Sequence, residues 1–324
     1  MGVNGSVLAI DAGNSKTDVA LIGEDGTVLS TARGGGFQPP VVGIGTAVDV
    51  LGSAVERALD AAGADAGSIA HVSACLANAD LPVEEKQLTD ALYARGWGRT
   101  VEVRNDTFAI LRAGADEPRG VAVVCGAGIN CVGMVPDGRT ARFPAIGRIS
   151  GDWGGGSGLS EEAMWFASRA EDGRGEPTEL ARALPAHFGL GSMYALIEAL
   201  HLGRIASERR HELSPVLFAT AADGDTVARG LVDRLAEEVV ALSSVALSRL
   251  GLLDEAVPVV LGGSVLAARH PQLDGRIGEL LAVRAPKAVV RVVEESPVLG
   301  AGLLGLDHTG AAPEVHARLR AQYV

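Results

Sequence analysis

Two glycine-containing turns are the stretches of this chain best suited to hold an anion. The first, DAGNSKTD at residues 11–18, separates two apolar runs at residues 7–10 and 19–22. A tight turn between two strands can direct several backbone N–H groups towards one phosphate. It is not a Walker A loop, because the G-x-x-x-x-G-K-S/T spacing is absent and no helix pattern follows. An ordinary polar hairpin turn is the alternative interpretation.

The second turn, CGAGIN at residues 125–130, follows an apolar run at residues 121–124. The order that opens the chain is strand, glycine turn, strand, Asp-Gly turn and strand, and it returns in residues 121–143. Such an internal repeat indicates the duplication of one supersecondary unit. Two facing turns of this kind could hold opposite sides of one phosphate chain.

The predicted strands and helices place further polar residues near these turns. Asp106 follows the predicted strand at residues 101–103, and a short helix is predicted from Thr107. On spacing alone, Asp106 is a good N-cap for that helix. The most glycine-dense segment, residues 149–158, predicts a mobile loop before a helix from residue 160. The other predicted ranges are strands at 28–32, 69–76, 257–261 and 288–293, and helices at 45–62, 83–95 and 226–250.

The composition is that of a globular protein without the charge of a nucleic-acid binder. Of the 324 residues, 47% are hydrophobic and 21% are charged, and the net charge is −12. A nucleic-acid-binding surface would be basic, and no apolar stretch approaches the length of a membrane span. Three cysteines without C-x-x-C spacing argue against a disulfide framework. We expect a cytoplasmic protein that contacts neither nucleic acid nor membrane.

Six motifs resemble, in the same order, those of the BadF/BadG/BcrA/BcrD-type ATPases, which belong to the actin-like and sugar-kinase superfamily. They are DAGNSKTD, NDTFAIL, GAGIN, GDWGGGSG, LGGSVL and SPVLGAGLLG, and the amino-sugar kinases are the most similar branch. The resemblance implies an α/β fold of two actin-like (ribonuclease H-like) domains with a nucleotide and sugar cleft between them. We place these domains at residues 1–114 and 115–324, the second with a helical insertion.

The resemblance also implies ATP-dependent phosphorylation of an amino hexose, with ATP and Mg²⁺ as cofactors. Asp11 would hold Mg²⁺ through water, and Asp106 would act as the general base for the sugar hydroxyl. Lys16 could reach a phosphate, although a solvated surface position is the alternative. The implied nucleotide contacts are Gly13, Asn14, Ser15, Lys16, Thr17, Gly126, Ala127, Gly128, Gly262, Gly263 and Ser264.

The sugar contacts implied by the resemblance are Gln38, Asp106, Gly151 and Asp152. Asn130 could hold a sugar hydroxyl or the phosphate, and Glu179 is a candidate partner for a sugar amine. Two positions depart from N-acetylglucosamine kinases, because Gln38 replaces an asparagine and Trp153 replaces a glutamate. These departures favour glucosamine, phosphorylated at its 6-hydroxyl, since a buried amine needs a carboxylate partner. N-acetylglucosamine is the alternative. Four acids could pair with the amine, although solvated helix-start charges are the alternative; they are Glu162, Asp172, Glu176 and Glu179.

Two other activities stay open on the same fold. A 2-hydroxyacyl-CoA dehydratase activator would need cysteines for an iron–sulfur cluster shared between subunits. Cys75, Cys125 and Cys131 instead lie in or beside apolar runs, which is typical of buried small hydrophobes. A non-catalytic sugar sensor is disfavoured because no DNA-binding segment is added and Asp106 is retained. The expected partner is a small-molecule sugar, and a homodimer is left open.

Overall fold

The computed structural model describes residues 5–323, which fold around two mixed β-sheets. The strands are β1 (Gly5–Ala12), β2 (Thr17–Gly23), β3 (Val28–Gly34), β4 (His71–Leu76), β5 (Thr100–Asn105), β6 (Gly120–Cys125), β7 (Ile129–Met134), β8 (Thr140–Arg142), β9 (Pro258–Gly262) and β10 (Val289–Val292). The first sheet has the order β3-β2-β1-β4-β5, and the second has β8-β7-β6-β9-β10. In each, three antiparallel strands are extended by two parallel ones. The internal repeat predicted from the sequence is therefore confirmed.

Helices cover the faces of both sheets. They are α1 (Pro39–Val42), α2 (Ile44–Ala62), α3 (Pro82–Tyr93), α4 (Thr107–Gly114), α5 (Gly155–Glu171), α6 (Leu180–His187), α7 (Met193–His201), α8 (Leu213–Ala222), α9 (Thr226–Leu250), α10 (Ser264–Ala267), α11 (Pro271–Arg284), α12 (Pro297–Thr309) and α13 (Pro313–Arg320). Helices α5–α8 form a block between β8 and α9. This block packs against the core of the second sheet through Leu159, Leu180, Met193 and Leu213.

Each sheet has a hydrophobic core of its own, and a third hydrophobic core lies between the two sheets. In β1, Leu8 and Ile10 face the core under α2 and α3, whereas Val7 and Ala9 face the core that contains α4 and α12. This alternation follows from the two-residue period of a strand, and burial on both faces explains the continuous apolar run. Ala122 of β6 belongs to the same central core. Helices α4 and α12 therefore join the two halves of the molecule.

Helix α12 comes from the last part of the chain but packs on the first sheet. The hydroxyl of Ser73 on β4 donates to the carbonyl of Ala301 at 2.7 Å. Gly300 lies so close to α4 that a Cβ there would be 1.8 Å from the carbonyl oxygen of Ala109. The chain thus passes from the first sheet to the second near residue 114 and returns to the first sheet with α12. We propose that residues 297–323 belong with the first half of the molecule.

Helix α5 begins at Gly155, five residues before the position predicted from the sequence. The N–H of Gly156 donates to the carbonyl of Gly126 at 2.7 Å, and that of Ser157 donates to Ala127 at 3.1 Å. These bonds hold the first turn of the helix against the second glycine turn. The prediction of one mobile glycine-rich loop is therefore wrong for residues 155–158.

Burial decides the environment of the cysteines. All three are free and buried, as the sequence predicted. Burial raises the pKa of each thiol well above its ordinary value, so these groups are protonated at neutral pH. Over residues 5–323, no helix combines the length and the apolar character needed to cross a membrane.

Candidate active site

The first glycine turn is closed by the N–H of Gly13, which donates to the carbonyl of Lys16 at 2.9 Å. Two amides fix its conformation from outside. Gln38 Nε2 donates to the carbonyl of Asn14 at 2.8 Å, and Asn78 Nδ2 donates to Asn14 Oδ1 at 2.9 Å. The exposed tip of the turn is therefore held in place by side chains. Asn14 and Gln38, which were assigned to phosphate and sugar separately, contact each other.

The last residues of this turn have partners within the protein. Thr17 is buried, and its hydroxyl donates to the carbonyl of Gly35 at 2.9 Å. The Nζ of Lys16 lies 2.6 Å from Asp18 Oδ2, and the Nε of Arg33 lies 2.6 Å from Asp18 Oδ1. Lys16 remains half-exposed in this pair. Its position agrees with the surface interpretation and leaves the phosphate contact as a prediction.

Asp11 pairs with Asp18 across the hairpin and is 9% exposed. Burial, together with the charges of Asp106 and Asp18, raises the pKa of Asp11 to about 7, although Lys16 lowers it. A buried carboxylate among like charges is stabilised by a nearby cation. Asp11 therefore fits the predicted Mg²⁺, which keeps most of its water ligands and needs few carboxylates.

The second glycine turn is held by the start of α5. The N–H of Gly126 donates to the carbonyl of Gly128 at 3.0 Å, which closes the turn. Gly155 has a φ of +74°, and a Cβ there would lie 2.5 Å from both the carbonyl oxygen of Ala127 and the Cα of Gly128. Only glycine fits this position, since any side chain would displace the turn.

The Gly-Gly motif after β9 packs onto the same turn. Gly263 has a φ of +83°, and a Cβ there would lie 2.5 Å from the carbonyl oxygen at the end of β6. Ser264 begins α10 and, with Gly126 and Ala127, lines a cavity of about 400 Å³. Gly262 ends β9 and faces α4. The second turn and the third motif therefore meet at one cavity, whose volume suits a nucleoside.

Asp106 lies between β5 and α4 and is half-buried. Its side chain makes no cap hydrogen bond, and Asn105 Oδ1 accepts the N–H of Thr107 at 3.0 Å. Burial raises the pKa of Asp106 to about 6, although the N–H groups of Thr107 and of Asp106 itself lower it. The carboxyl group is therefore not engaged as a helix cap, and its pKa lies in the range of a general base.

Asp80 is a candidate site residue that the sequence analysis missed. Burial, with the charges of Asp106 and Glu84, raises the pKa of Asp80 to about 7. Its Oδ1 accepts from Asn105 Nδ2 at 2.8 Å, and Asn105 Oδ1 accepts from Asn130 Nδ2 at 3.0 Å. These bonds link the two halves through Asn130. Asp80 follows β4, and the carboxyl ends of the parallel strands β1, β4 and β5 meet at one edge of the sheet.

Gly151 and Asp152 follow a short 3₁₀ helix, Gly147–Ser150. Gly151 has a φ of +87°, and Asp152 Oδ2 accepts the N–H of Gly147 at 2.8 Å. Asp152 lines a cavity of about 230 Å³ beside the second glycine turn. Its charge also contributes to the raised pKa of Asp80. Carboxylates from the two halves of the molecule therefore act on each other across the cleft.

Glu179 lies away from this group of carboxylates. Its Oε2 lies 3.0 Å from the Nε of Arg182, and its N–H donates to Asp225 at 2.8 Å. Asp225 is the N-cap of α9. Glu238, on the same helix, lies near Asp152, because the charge of Asp152 adds to burial in raising the pKa of Glu238. Residues 225 and 238 are separated by roughly 20 Å of helix. The structure does not bring Glu179 to the other predicted sugar contacts.

The remaining acids expected around a sugar amine are paired or solvated. Glu162 accepts from Arg148, and Asp172 lies 2.6 Å from Arg174. Glu176 is exposed. Among the described residues 162–179 these acids therefore do not gather at one site, which agrees with the alternative that they are solvated helix-start charges.

The duplicated sheets, with two helices between them, define the actin-like fold of sugar kinases. A protein from Chromobacterium violaceum, provisionally named N-acetylglucosamine kinase, has a TM-score of 0.69 at 23% identity, over 92% of this chain and 98% of that one. A ROK family glucokinase from Streptomyces griseus has a TM-score of 0.56 at 18% identity, over 94% and 99%. The predicted fold class is therefore confirmed.

The chain belongs to the BadF/BadG/BcrA/BcrD ATPase family, whose sequence model matches residues 8–305. A relative from Clostridium acetobutylicum, named N-acetylmuramic acid/N-acetylglucosamine kinase, is 25% identical over 301 residues. That alignment covers 92% of this chain and 97% of the relative. The resemblance inferred from the six motifs is confirmed.

Proposed function

We propose that this protein is an ATP-dependent kinase that phosphorylates an amino hexose at its 6-hydroxyl. The observation that carries the proposal is the uncapped carboxyl group of Asp106, which has a pKa of about 6 and lies near Asp11. Membership of an ATPase family supports the use of ATP. The name of the Clostridium acetobutylicum relative supports an amino sugar as the acceptor.

Phosphoryl transfer needs neutralisation of charge and in-line positioning more than covalent chemistry. The N–H groups of the two glycine turns would bind the phosphates, and the cavity beside Ser264 would take the adenosine. Mg²⁺, held by Asp11 through water, would neutralise phosphate charge. Asp106 accepts the proton of the sugar hydroxyl while the hydroxyl oxygen bonds to the γ-phosphorus. The bond from that phosphorus to the ADP oxygen breaks, and ADP leaves with the electron pair.

N-acetylglucosamine is our first candidate for the acceptor. Asn78 lines a cavity of about 210 Å³ whose walls include Pro39, Pro40 and Leu88. An acetamido group requires a small apolar niche with an amide-matching partner, and this cavity offers both. The sequence-based preference for glucosamine loses one of its supports, because Glu179 is paired with Arg182 away from Asp152.

Glucosamine is the second candidate, because one observation favours it. Asp80 and Asp152 lie close enough for their charges to interact, and this repulsion contributes to the raised pKa of Asp80. A sugar ammonium between them would relieve the repulsion. With glucosamine as the substrate, Asp80 would take the role in amine recognition that the sequence analysis gave to Glu179.

A substrate panel separates these candidates. Initial rates with coupled detection of ADP are measured for N-acetylglucosamine, glucosamine, glucose and mannosamine, with Asp106→Asn as the background. We expect N-acetylglucosamine to give the highest kcat/KM. The Asp80→Asn variant should lower kcat/KM for glucosamine relative to glucose only if the amine pairs with Asp80. Rates for all amino hexoses equal to those measured without enzyme would reject the kinase proposal.

A further inference from the structure

Three potential metal ligands lie together on the first sheet, outside the candidate active site. They are His71 at the start of β4, Glu102 on β5 and His308 on α12. One ligand atom of each lies within 4.8 Å of the others. The rings of His71 and His308 are stacked, with centres 3.8 Å apart and planes 10° apart. Three different elements therefore bring two imidazoles and one carboxylate to one place.

His71 carries a buried nitrogen that nothing in the described residues satisfies. Its side chain is 1% exposed, and its Nε2 has no hydrogen-bond partner within residues 5–323. The hydroxyl of Thr100 donates to the carbonyl of Ala70 at 3.1 Å, so it accepts from His71 Nδ1 at 2.9 Å. This bonding assigns the ring proton to Nδ1 and leaves a bare lone pair on Nε2. A buried acceptor without a partner costs free energy, and a ligand would remove that cost.

The hydroxyl of Thr100 is also the kind of hydrogen-bond acceptor that supports a metal-binding histidine. Histidines that bind metal usually donate their other ring N–H to an oxygen, which fixes the tautomer and the ring orientation. His71 has this arrangement already. The bond to Thr100 therefore fixes the tautomer in which Nε2 carries the free lone pair.

The other two ligands, Glu102 and His308, are partly exposed, so an ion can reach them from solvent. The side chains of Glu102 and His308 are 35% and 44% exposed, and Glu102 Oε2 lies 3.8 Å from His308 Nδ1. Arg104 is bonded to the other oxygen, Oε1, at 2.8 Å. Glu102 Oε2 therefore faces the histidines. His308 is exposed enough to turn its ring out of the stack towards a common ion.

We propose that His71, Glu102 and His308 bind a divalent transition-metal ion, with Zn²⁺ as the expected ion. Two imidazole nitrogens and one carboxylate oxygen suit Zn²⁺, with water as the fourth ligand. They do not suit Mg²⁺, which prefers oxygen ligands. This site is thus chemically distinct from the site at Asp11.

The proposed ion joins α12 to β4 and to the edge strand β5 of the first sheet. Glu102 lies four residues before Asp106, which is roughly 13 Å along the strand. The ion therefore lies outside reach of the transferred phosphoryl group. Its expected effect is to fasten α12 to the first sheet and so to raise the stability of the folded protein.

The test titrates ZnCl₂ into chelator-treated full-length protein by calorimetry, in excess Mg²⁺ to occupy the oxygen sites. His308→Ala and Glu102→Gln each remove one exposed ligand without touching the buried His71. The matched control is His187→Ala. His187 also pairs with a carboxylate, Glu212, at 2.9 Å, but residues 5–323 supply no third metal ligand there. Thermal unfolding with and without Zn²⁺ is measured on the same four proteins.

We expect the wild type and His187→Ala to bind one Zn²⁺ and to gain in Tm. Each of the two ligand variants should bind at least about tenfold more weakly and lose the gain in Tm. Co²⁺ should give the visible absorption of a four-coordinate site in the wild type and not in His308→Ala. The proposal would be overturned if the wild type bound Zn²⁺ no more tightly than both ligand variants do.

Discussion

At the scale of single residues, the carboxyl group of Asp106 is the main determinant of the proposed chemistry. We expect Asp106→Asn to lower kcat by at least about a hundredfold, because the amide cannot accept the hydroxyl proton. ATP affinity should be kept. The Tm should not fall, because Asn105 makes the cap bond and the substitution removes a buried charge. Steady-state kinetics, nucleotide titration and thermal unfolding measure these three quantities.

The control for this variant is Asp254→Asn, a change at an exposed acid outside the site. It should leave kcat and Tm unchanged, as surface substitutions usually do. Near-normal turnover by Asp106→Asn would make Asp106 a structural residue. A large fall in Tm would restore the interpretation of Asp106 as a helix cap.

Three carboxyl groups predict an unusual pH dependence of stability. Burial is the first cause that raises the pKa of Asp11 and Asp80 to about 7 and that of Asp106 to about 6. Each folded-state pKa exceeds the unfolded one, so the folded protein binds more protons between the two values. Their contribution to stability is therefore lost as pH rises from about 4 to about 7. We expect the Tm without Mg²⁺ to fall over that range.

Mg²⁺ with ATP should reverse this loss, and increasingly so above about pH 7, because only the ionised carboxylate of Asp11 attracts the cation. Asp11→Asn should flatten the pH profile and remove the Mg²⁺ dependence of the protection. Thermal unfolding across pH, with Mg²⁺ or with excess EDTA, measures both effects. Equal protection by ATP in EDTA would argue against a metal at Asp11.

At the scale of elements, the sequence predicts those whose signals are local. The strands of the two hairpins are apolar runs bounded by turn residues, and they form where expected. Helix α9 begins and ends as predicted, because Asp225 accepts the N–H of Ala228 at 2.8 Å and Gly251 ends it in the left-handed conformation. Local capping and periodicity suffice in these cases.

Elements and site residues that depend on distant contacts could not be predicted in this way. Residues 155–158 have the composition of a loop, but bonds to the second glycine turn make them helical. Asp80 joins the site because β4 lies between β1 and β5, which only the sheet order reveals. Glu179 was grouped with Asp152 by sequence order, and the helices between them separate the two residues in space.

The packing of α5 against the second glycine turn predicts the effect of Gly155→Ala. The new Cβ would be 2.5 Å from Ala127 and Gly128, at a φ of +74°. We expect the turn to shift, the KM for ATP to rise at least about tenfold and the Tm to fall, since alanine is strained there. Kinetics and thermal unfolding measure this change.

Gly230→Ala is the matched control, because Gly230 lies in α9 with open space around it. It should leave the KM for ATP unchanged and raise stability by about 0.5–1 kcal/mol, as alanine favours helix over glycine. If Gly155→Ala behaves in the same way, the contact between α5 and the turn does not position the phosphate site.

At the scale of the whole molecule, α4 and α12 carry the connection between the two sheets. A second link is Arg142 of β8, whose NH1 lies 2.5 Å from Glu85 of α3. Movement of one half against the other must therefore pivot about the packed helices and act on the Arg142–Glu85 pair. Closure over bound substrates is common in kinases of two lobes, and these contacts identify where it would bend in this chain.

The junction of α4 and α12 rests on Arg112, which is 2% exposed and is bonded to Asp307 by its Nε at 2.7 Å and its NH2 at 3.1 Å. We expect Asp307→Ala to lower the free energy of unfolding by about 3 kcal/mol, because it leaves a buried guanidinium without its partner. Glu179→Ala breaks an exposed pair with Arg182 and should cost less than about 1 kcal/mol. Urea unfolding of both variants measures the difference. Similar losses in the two variants would mean that the buried pair does not stabilise the packing of α4 against α12. Unchanged sugar preference in Glu179→Ala would agree with the distance of Glu179 from the site.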